Sequence, residues 1–585
     1  MAETLISPGT SLRENDISFI APAPLEAGAA IIGPTVKGPV EEPTVVTSYS
    51  DYSNIFGTTF DLGSNSQEFL TSIAVKSYFE QGGNSALVTR VVTGSYSAAT
   101  STDVVAEIAN YTGSKAPFQL KTLSKGALQN TATGSASTAA AQNSDGSLVN
   151  GSADNVRYEI ANINKDQGTF SLLIRRGDDT KTSKIILETF NDLSLDPNSG
   201  NYIEKVIGNQ YYTKANDGDI TYLNPVGEYR NLSRYVRVSS VNKTINYLGT
   251  DGVTIQSDTN GNSYSGSLPV AQSGSFYNAT GVQNENGNFF SDITNGNTQG
   301  LTGGDYQDAV RMMRNKDEYL YNIISAPGLI YENGEHKARL DEIISNVQER
   351  GDAIAVIDLE NYGANTANAA QTAATVNNSY AAAYWPWLQT QSGNGKLVWI
   401  PASTVIPGVY AFTDNAAAPW FAPAGLTRGG IPNVIQAERK LTRAQRDTLY
   451  AANVNPIATF PGAGIAVFGQ KTLQKKSSAL DRVNVRRLLI ELKKFIGDVS
   501  RTLVFEQNTI ATRNGFLAAV NPYLESVVQR QGLYAFKVVM DDTNNTADVI
   551  DRNQLIGQIF IQPAKTVEYI LLDFSIEPSG ATFGA

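Results

Sequence analysis

A chain of 585 residues with 41% hydrophobic and 17% charged side chains is globular and too long for one compact unit; at roughly 150 residues per domain it holds about four. The absence of cysteine excludes disulfides, thiolate metal sites and a Cys nucleophile, and a single histidine, His336, leaves little for metal ligation or proton shuttling at neutral pH, so composition argues against an enzyme. The net charge of -11 disfavours a nucleic-acid or anionic-membrane binder, although residues 421–540 hold 17 Lys and Arg against 7 Asp and Glu, a basic surface within an acidic protein.

Residues 1–24 carry Ser7-Pro8-Gly9, Leu12, Ile17, Phe19 and prolines at 22 and 24, a pattern too short and broken for a core, and read as an extended arm. Met1-Ala2-Glu3-Thr4 shows no secretory pattern and no apolar run approaches the ~18 residues of a bilayer span, so the expectation is a protein kept in the cytoplasm or released by lysis. Residues 25–92 read as strand (29–33), turn, strand (43–46), helix (about 66–81) and strand (86–92), a βαβ-like start to an α/β layer. From 93 to 303 Ser, Thr, Asn and Gly dominate, with short alternating apolar runs. This stretch reads as an all-β insertion of one or two outer domains, with a hairpin of 170–176 and 184–188 closed by Gly177-Asp178-Asp179.

The α/β pattern resumes at 304–420, with helices at 306–314 and 337–351 and strands at 320–326, 353–358 and 396–400. Residues 421–540 form a basic C-terminal domain with a helix at 436–451, a hairpin around Pro461-Gly462-Ala463-Gly464 and a long helix from 479 to 500. Residues 541–585 read as a strand-rich arm. The fold class is thus mixed, α/β and α+β over several domains: a mixed-sheet α/β core, an all-β insertion and extended arms at both ends.

No motif supports catalysis or a cofactor. His336 sits in a polar loop entering a helix and reads as solvated and without a role. Asp541-Asp542-Thr543-Asn544-Asn545 is acidic like a calcium loop but lacks its glycine and glutamate, and reads as an Asn-rich turn. Gly462-Ala463-Gly464 has Val467 where the dinucleotide fingerprint needs glycine, and Gly393-Asn394-Gly395-Lys396 lacks the remainder of a P-loop. The helix from Ala479 has an apolar stripe of Val485, Leu488, Leu489, Leu492, Phe495, Ile496 and Val499. Arg482, Arg486, Arg487, Lys493 and Lys494 project from other faces, either as a solvated surface or as a stripe for an acidic partner. The tail, Gln558 to Pro563 and then Val567, Tyr569, Ile570, Leu572 and Phe574, is apolar enough to require pairing, since such a strand left at an open edge would aggregate.

Several segments in order resemble the tail sheath protein family of contractile bacteriophages: Trp420 to Gly429, Asn455-Pro456-Ile457, Asp481 to Leu488, Asn544-Asn545-Thr546 with Asp551-Arg552-Asn553, and Phe560 to Ala564. Ser7-Pro8-Gly9, Tyr78-Phe79 with Gly82-Gly83, and Ala326-Pro327-Gly328 support it; the insertion at 93–303 matches nothing in the family. The resemblance implies a structural subunit without catalytic or metal residues and without cofactors, on a core described in the family as subtilisin-like. It implies hexameric rings stacked as a helical sheath around a tail tube, contracting to drive the tube through the host envelope. It further implies baseplate and tail terminator partners, no nucleic acid, no membrane insertion, and a place in the virion tail after assembly in the host cytoplasm. Strand exchange between subunits would fall to Ser7, Pro8, Gly9, Leu12, Ile17 and Phe19 at one end and Val567, Tyr569, Ile570, Leu572 and Phe574 at the other, and tube contact to Arg482, Arg486, Lys493 and Lys494. Another self-assembling shell or surface-layer protein, or a hydrolase on the α/β core, are the alternatives.

Overall fold

The structure is a computed structural model that describes residues 25–62, 65–108, 116–132, 142–218, 220–282 and 292–568. Its centre is an eight-stranded sheet built from short runs rich in Ala, Ile and Val. The strands are β1 (Leu25–Gly33), β2 (Thr44–Val46), β3 (Ala86–Arg90), β4 (Tyr319–Ile330), β5 (Ile354–Asp358), β6 (Ala381–Trp385), β7 (Asn455–Phe460) and β8 (Gly464–Val467). Their spatial order is β2-β3-β1-β4-β5-β6-β7-β8; the six inner strands run parallel, and β2 and β8 close the edges antiparallel. Every residue of β3, β5 and β6 is buried, which is why these runs do not alternate: helices cover both faces of a parallel sheet.

The βαβ start is present as β1, α1 (Leu70–Glu80) and β3, with Ala29 to Gly33 in parallel register with Ala86 to Arg90. The helix begins later than its sequence suggests because Asn65–Glu68 pairs instead with Thr59–Leu62 in a small hairpin. An additional helix, Tyr49–Phe56, is capped by Ser48, whose hydroxyl accepts from the Asp51 N–H. Helix α2 (Gly334–Arg350) packs on β4 and β5 and ends at Gly351, whose left-handed conformation (φ 72°) returns its N–H to the Val347 carbonyl. Helix α3 (Ile406–Ala416) packs on α1. Leu397–Ile400 is a strand, but it lies in a three-stranded sheet with Leu388–Gln391 and Gln436–Ala437, outside the central one. The helix expected from 436 starts at Arg443, behind a capping box of Thr442 and Gln445.

The insertion is mainly β, as its composition suggests, with one short α-helix at Ile203–Ile207 among the described residues. Two four-stranded sheets enclose an apolar cluster of their own, in which Phe118 stacks on Phe170 beside Leu172 and Ile174. The hairpin forms between Thr169–Arg176 and Ile186–Ser194, and its turn is held by Arg175, which donates from Nε to Asp179 at 2.6 Å. Ion pairs fasten the insertion to the core: Lys37 to Asp154 at 3.0 Å, Lys125 to Glu42 at 2.9 Å, Lys214 to Glu41 and Asp308 at 2.7 and 2.6 Å, and Arg234 to Asp51 at 3.1 Å. The core resumes earlier than 304, since Ile293 and Leu301 join its apolar cluster and Gln299 Oε1 accepts from the Leu70 N–H at 2.8 Å.

His336 is a correction. It is fully buried in the first turn of α2, and its Nδ1 accepts from the Ile330 N–H at 3.2 Å. A polar sequence around it concealed this, because the loop Tyr331 to Asn333 turns back over the end of β4 and carries the helix start inward. Burial holds the imidazole down to about 4, so it is neutral near pH 7.

Candidate assembly surface

The C-terminal domain is built from α4 (Val483–Arg501), α5 (Ile510–Gln529), β9 (Leu533–Val539) and β10 (Gln558–Pro563). Ser478 caps the turn before α4 by accepting from the Leu480 N–H. The stripe read from sequence faces inward: Leu488 and Leu492 pack with Trp420, Phe516, Val520, Leu524 and Val527 in a third apolar cluster, and Phe495 stacks on Tyr523 with ring centroids 3.7 Å apart.

The basic residues of α4 do not form one solvated stripe. Arg482 is half-buried and grips Glu568 with two bonds, Nε to Oε1 at 2.6 Å and a terminal nitrogen to Oε2 at 3.0 Å. Arg486, expected at the surface, is buried, stacks 4.0 Å over the Tyr380 ring and donates to the Ser379 hydroxyl. Its neighbour Arg487 is buried against Asp414 at 2.5 Å. Lys493 is exposed with its ammonium on the Tyr380 hydroxyl at 3.2 Å, and Lys494 is half-buried. The correction for Arg482 and Arg486 has one cause. The first two turns of α4 run between the central sheet's loops and the C-terminal domain and are buried all round, whereas an apolar stripe reports only one of the two covered faces.

Strands β9 and β10 pair antiparallel, Phe536 opposite Ile561 and Val538 opposite Ile559, and these four pack on the third cluster. The other face shows Tyr534 and Phe560, 65% and 56% exposed. Among the described residues this sheet has two strands, so both outer edges present unpaired backbone groups. The connection between the strands is fixed by Asn545, which accepts from the Ile556 N–H at 2.8 Å and donates to the Ile556 carbonyl at 2.9 Å. That is the role of the Asn-rich turn; among the described residues no group of His, Asp and Glu is placed to hold a metal ion.

After β10 the chain crosses back to the core. Gln470 donates to Thr566 Oγ1 at 2.5 Å and to Glu568 at 3.3 Å, and Arg482 completes the clasp. This segment borders a groove of about 870 Å³ whose walls include Trp420, Phe421, Phe468 and Tyr534, with Arg428 and Arg446 at its rim. Val567, the first of the expected C-terminal arm residues, is 79% exposed there. Ser7, Pro8, Gly9, Leu12, Ile17, Phe19, Tyr569, Ile570, Leu572 and Phe574 lie outside the described residues.

The α/β core brings together one group that sequence reading did not single out. Asp358, buried at the end of β5, accepts from the Ser403 N–H at 2.9 Å and the Ser403 hydroxyl at 2.5 Å, and Glu360 is buried two residues on. Burial raises both carboxyls to about 7, against the lowering effect of the Ser403 bonds on Asp358. The serine hydroxyl donates to the Asp358 carboxylate, and among the described residues no hydrogen bond joins it to His336, so the serine–histidine contact of a hydrolase triad is not formed. An aspartate closing the apolar run Ala353 to Ile357 is the only signal sequence offered.

A mixed α/β core carrying an α+β C-terminal domain defines the class of protein, and comparison with known proteins gives the family. A family model described as the phage tail sheath protein central domain matches residues 299–473, and one described as the phage tail sheath C-terminal domain matches 475–577. The tail sheath protein of Enterobacteria phage T4 is 42% identical over 185 residues, and that of Vibrio phage KVP40 is 40% identical over 190 residues. Each match covers 32% of this chain and 28% of the relative's length. The crystal structure of the sheath tail protein Lin1278 from Listeria innocua aligns over 92% of this chain and 95% of its own with a TM-score of 0.51 and 9% identity, a likeness of fold. Residues 299–473 and 475–577 thus match the central and C-terminal domains of the phage tail sheath family, and the named relatives are tail sheath proteins, structural and not enzymes. The comparisons carry the mixed α/β content and not the subtilisin-like label.

Proposed function

We propose that the chain is the subunit of a contractile phage tail sheath. Copies assemble as hexameric rings stacked around a tail tube, between baseplate and terminator proteins, and contraction drives the tube through the host envelope. The particle is a virion tail assembled in the host cytoplasm. The observation that carries this reading is the β9–β10 hairpin, whose two outer edges are unpaired among the described residues, beside the clasped root of an apolar C-terminal segment. Strand addition at such an edge joins copies through main-chain hydrogen bonds, which survive rigid-body motion of the bodies they connect. The residues assigned to the exchange are Ser7, Pro8, Gly9, Leu12, Ile17 and Phe19 in one arm and Val567, Tyr569, Ile570, Leu572 and Phe574 in the other. Arg482 and Arg486 are engaged inside the subunit, and of the four basic residues assigned to tube contact, Arg482, Arg486, Lys493 and Lys494, the exposed Lys493 is the one we assign to an acidic tube. Negative-stain microscopy of the purified full chain tests the reading: hollow tubes of constant diameter are expected, whereas flat sheets or dispersed particles at every concentration reject it.

A further inference from the structure

Helix α4 begins with two buried arginines side by side, and among the described residues only one has a counter-charge. Arg487 has Asp414. Arg486 is 4% exposed, its Nε is buried without a partner, and among the described residues no carboxylate lies within ion-pair distance of it. Its contacts are the Tyr380 ring and the Ser379 hydroxyl. A ring face offsets only part of what a guanidinium loses on leaving water, and a buried cation without an anion is strongly unfavourable. Burial accordingly lowers the proton affinity of Arg486, while facing Asp414 outweighs the same burial for Arg487 and raises it.

Ser379 and Tyr380 are also walls of a cavity of about 490 Å³ that includes Gln348, Lys476 and Ser478. Among the described residues no acidic side chain lines it. The hydroxyl accounting is one-sided. Ser379 Oγ accepts from Arg486 and Tyr380 Oη accepts from Lys493, so each has its own proton left to donate. Lys476 is exposed on the wall with no carboxylate partner among the described residues. A concave site with hydroxyl and ammonium donors, no carboxylate and a buried uncompensated cation behind it is complementary to an oxyanion.

We propose that this cavity is an oxyanion pocket that receives the carboxylate of an Asp or Glu presented by a second copy of this chain. The occupant follows from charge: 56 Asp and Glu against 45 Lys and Arg leave the chain acidic, so a further copy meets this basic mouth with surplus carboxylates. The inference rests on the self-assembly proposed above.

The test uses the full chain, inorganic phosphate as probe, chloride at matched ionic strength as control, and the variants Arg486→Met and Lys476→Ala. Dilute wild type should melt higher in phosphate in a saturable manner and not in chloride, and Arg486→Met should lose that response. In chloride Arg486→Met should melt no lower than wild type, because methionine of similar reach removes an uncompensated buried charge. Both variants should raise the concentration needed for pelletable assemblies at least fivefold, and phosphate should do the same to wild type. Identical behaviour in phosphate and chloride, or assembly of Arg486→Met at the wild-type threshold, overturns the pocket. Should Arg486→Met not fold, the wall variant Lys476→Ala decides by the same two measurements. A wild type that responds to phosphate yet never assembles defeats the sheath reading and the second-copy occupant together; one that assembles unhindered in phosphate defeats the occupant alone.

Discussion

Asp358 and His336 sit within one buried end of the central sheet and titrate in opposite senses. The Asp358 carboxyl is raised in the fold, so its favourable contribution is complete below the unfolded value of 3.8 and is lost as pH rises through about 7. The His336 imidazole is lowered, so its contribution is present above 6.5 and is lost as pH falls toward about 4. The net pH profile of the wild type mixes the two, and the informative quantity is the difference from a variant. Asp358→Asn keeps an acceptor for the Ser403 N–H and a donor for its hydroxyl. It should therefore stabilise the protein at pH 8 by up to roughly 4 kcal/mol and lose that advantage by pH 4 in parallel calorimetric scans. A variant equally or less stable at pH 8 would mean that Asp358 is ionised in the fold without penalty. Glu568 belongs to the opposite case: burial raises its carboxyl, but the Arg482 bonds and charge outweigh this and hold it below the usual range. Arg482→Ala should speed hydrogen exchange at residues 564–568 while leaving the central sheet's protection unchanged.

Among the elements, α5 decides whether the C-terminal domain stands as a unit. Leu524 is fully buried in a cluster that shares little with the central core, so Leu524→Ala should cost about 2–5 kcal/mol. The loss should appear as an earlier unfolding step of residues 483–563, with the central sheet's step unmoved; one shifted transition would show the two cores to be a single cooperative body. This helix was not legible in the sequence. Gly515, Pro522 and two asparagines interrupt its pattern, and its burial comes from tertiary partners, Trp420 and Leu488, that periodicity within one segment does not reveal. The inner strands were easier to read, since Ala86 to Arg90 and Ala353 to Asp358 are short apolar runs bounded by turn residues. Ala381 to Trp385 is just as buried but is rich in alanine, which carries no β preference and so gives no strand signal. The candidate site was half legible. Apolar tail and basic helix are compositional facts, whereas the turning of Arg482 and Arg486 toward the subunit's own groups is a matter of packing.

On the scale of the whole molecule, arms that make their contacts on neighbours should hold the assembly and not the fold. Deleting residues 1–20, or 569–585 so that the Glu568 clasp is kept, should leave a chain that melts as wild type in dilute solution and forms no tubes by microscopy. Tubes of normal length from either deletion would refute the exchange. Replacing 95–291 by a short Gly/Ser linker, which retains Ile293 and Gln299 for the core, should still give tubes, because all but a few of the insertion's apolar residues, Leu223 among the exceptions, pack in its own cluster. A folded chain without tubes would place a lattice contact there. The manner in which the insertion is fastened has an engineering consequence. The insertion is enclosed by its own apolar interior and joined to the core by partly covered ion pairs, worth roughly 0–1 kcal/mol each and weakened by salt, by hydrogen bonds of Ser124 and Lys125 with Gly38, and by Leu223 packed on the central cluster. The central sheet is then a socket: another folded cargo with neighbouring termini can be spliced between Val92 and Ile293, and in the assembly proposed above each subunit would display it without rewriting the parts assigned to holding copies together.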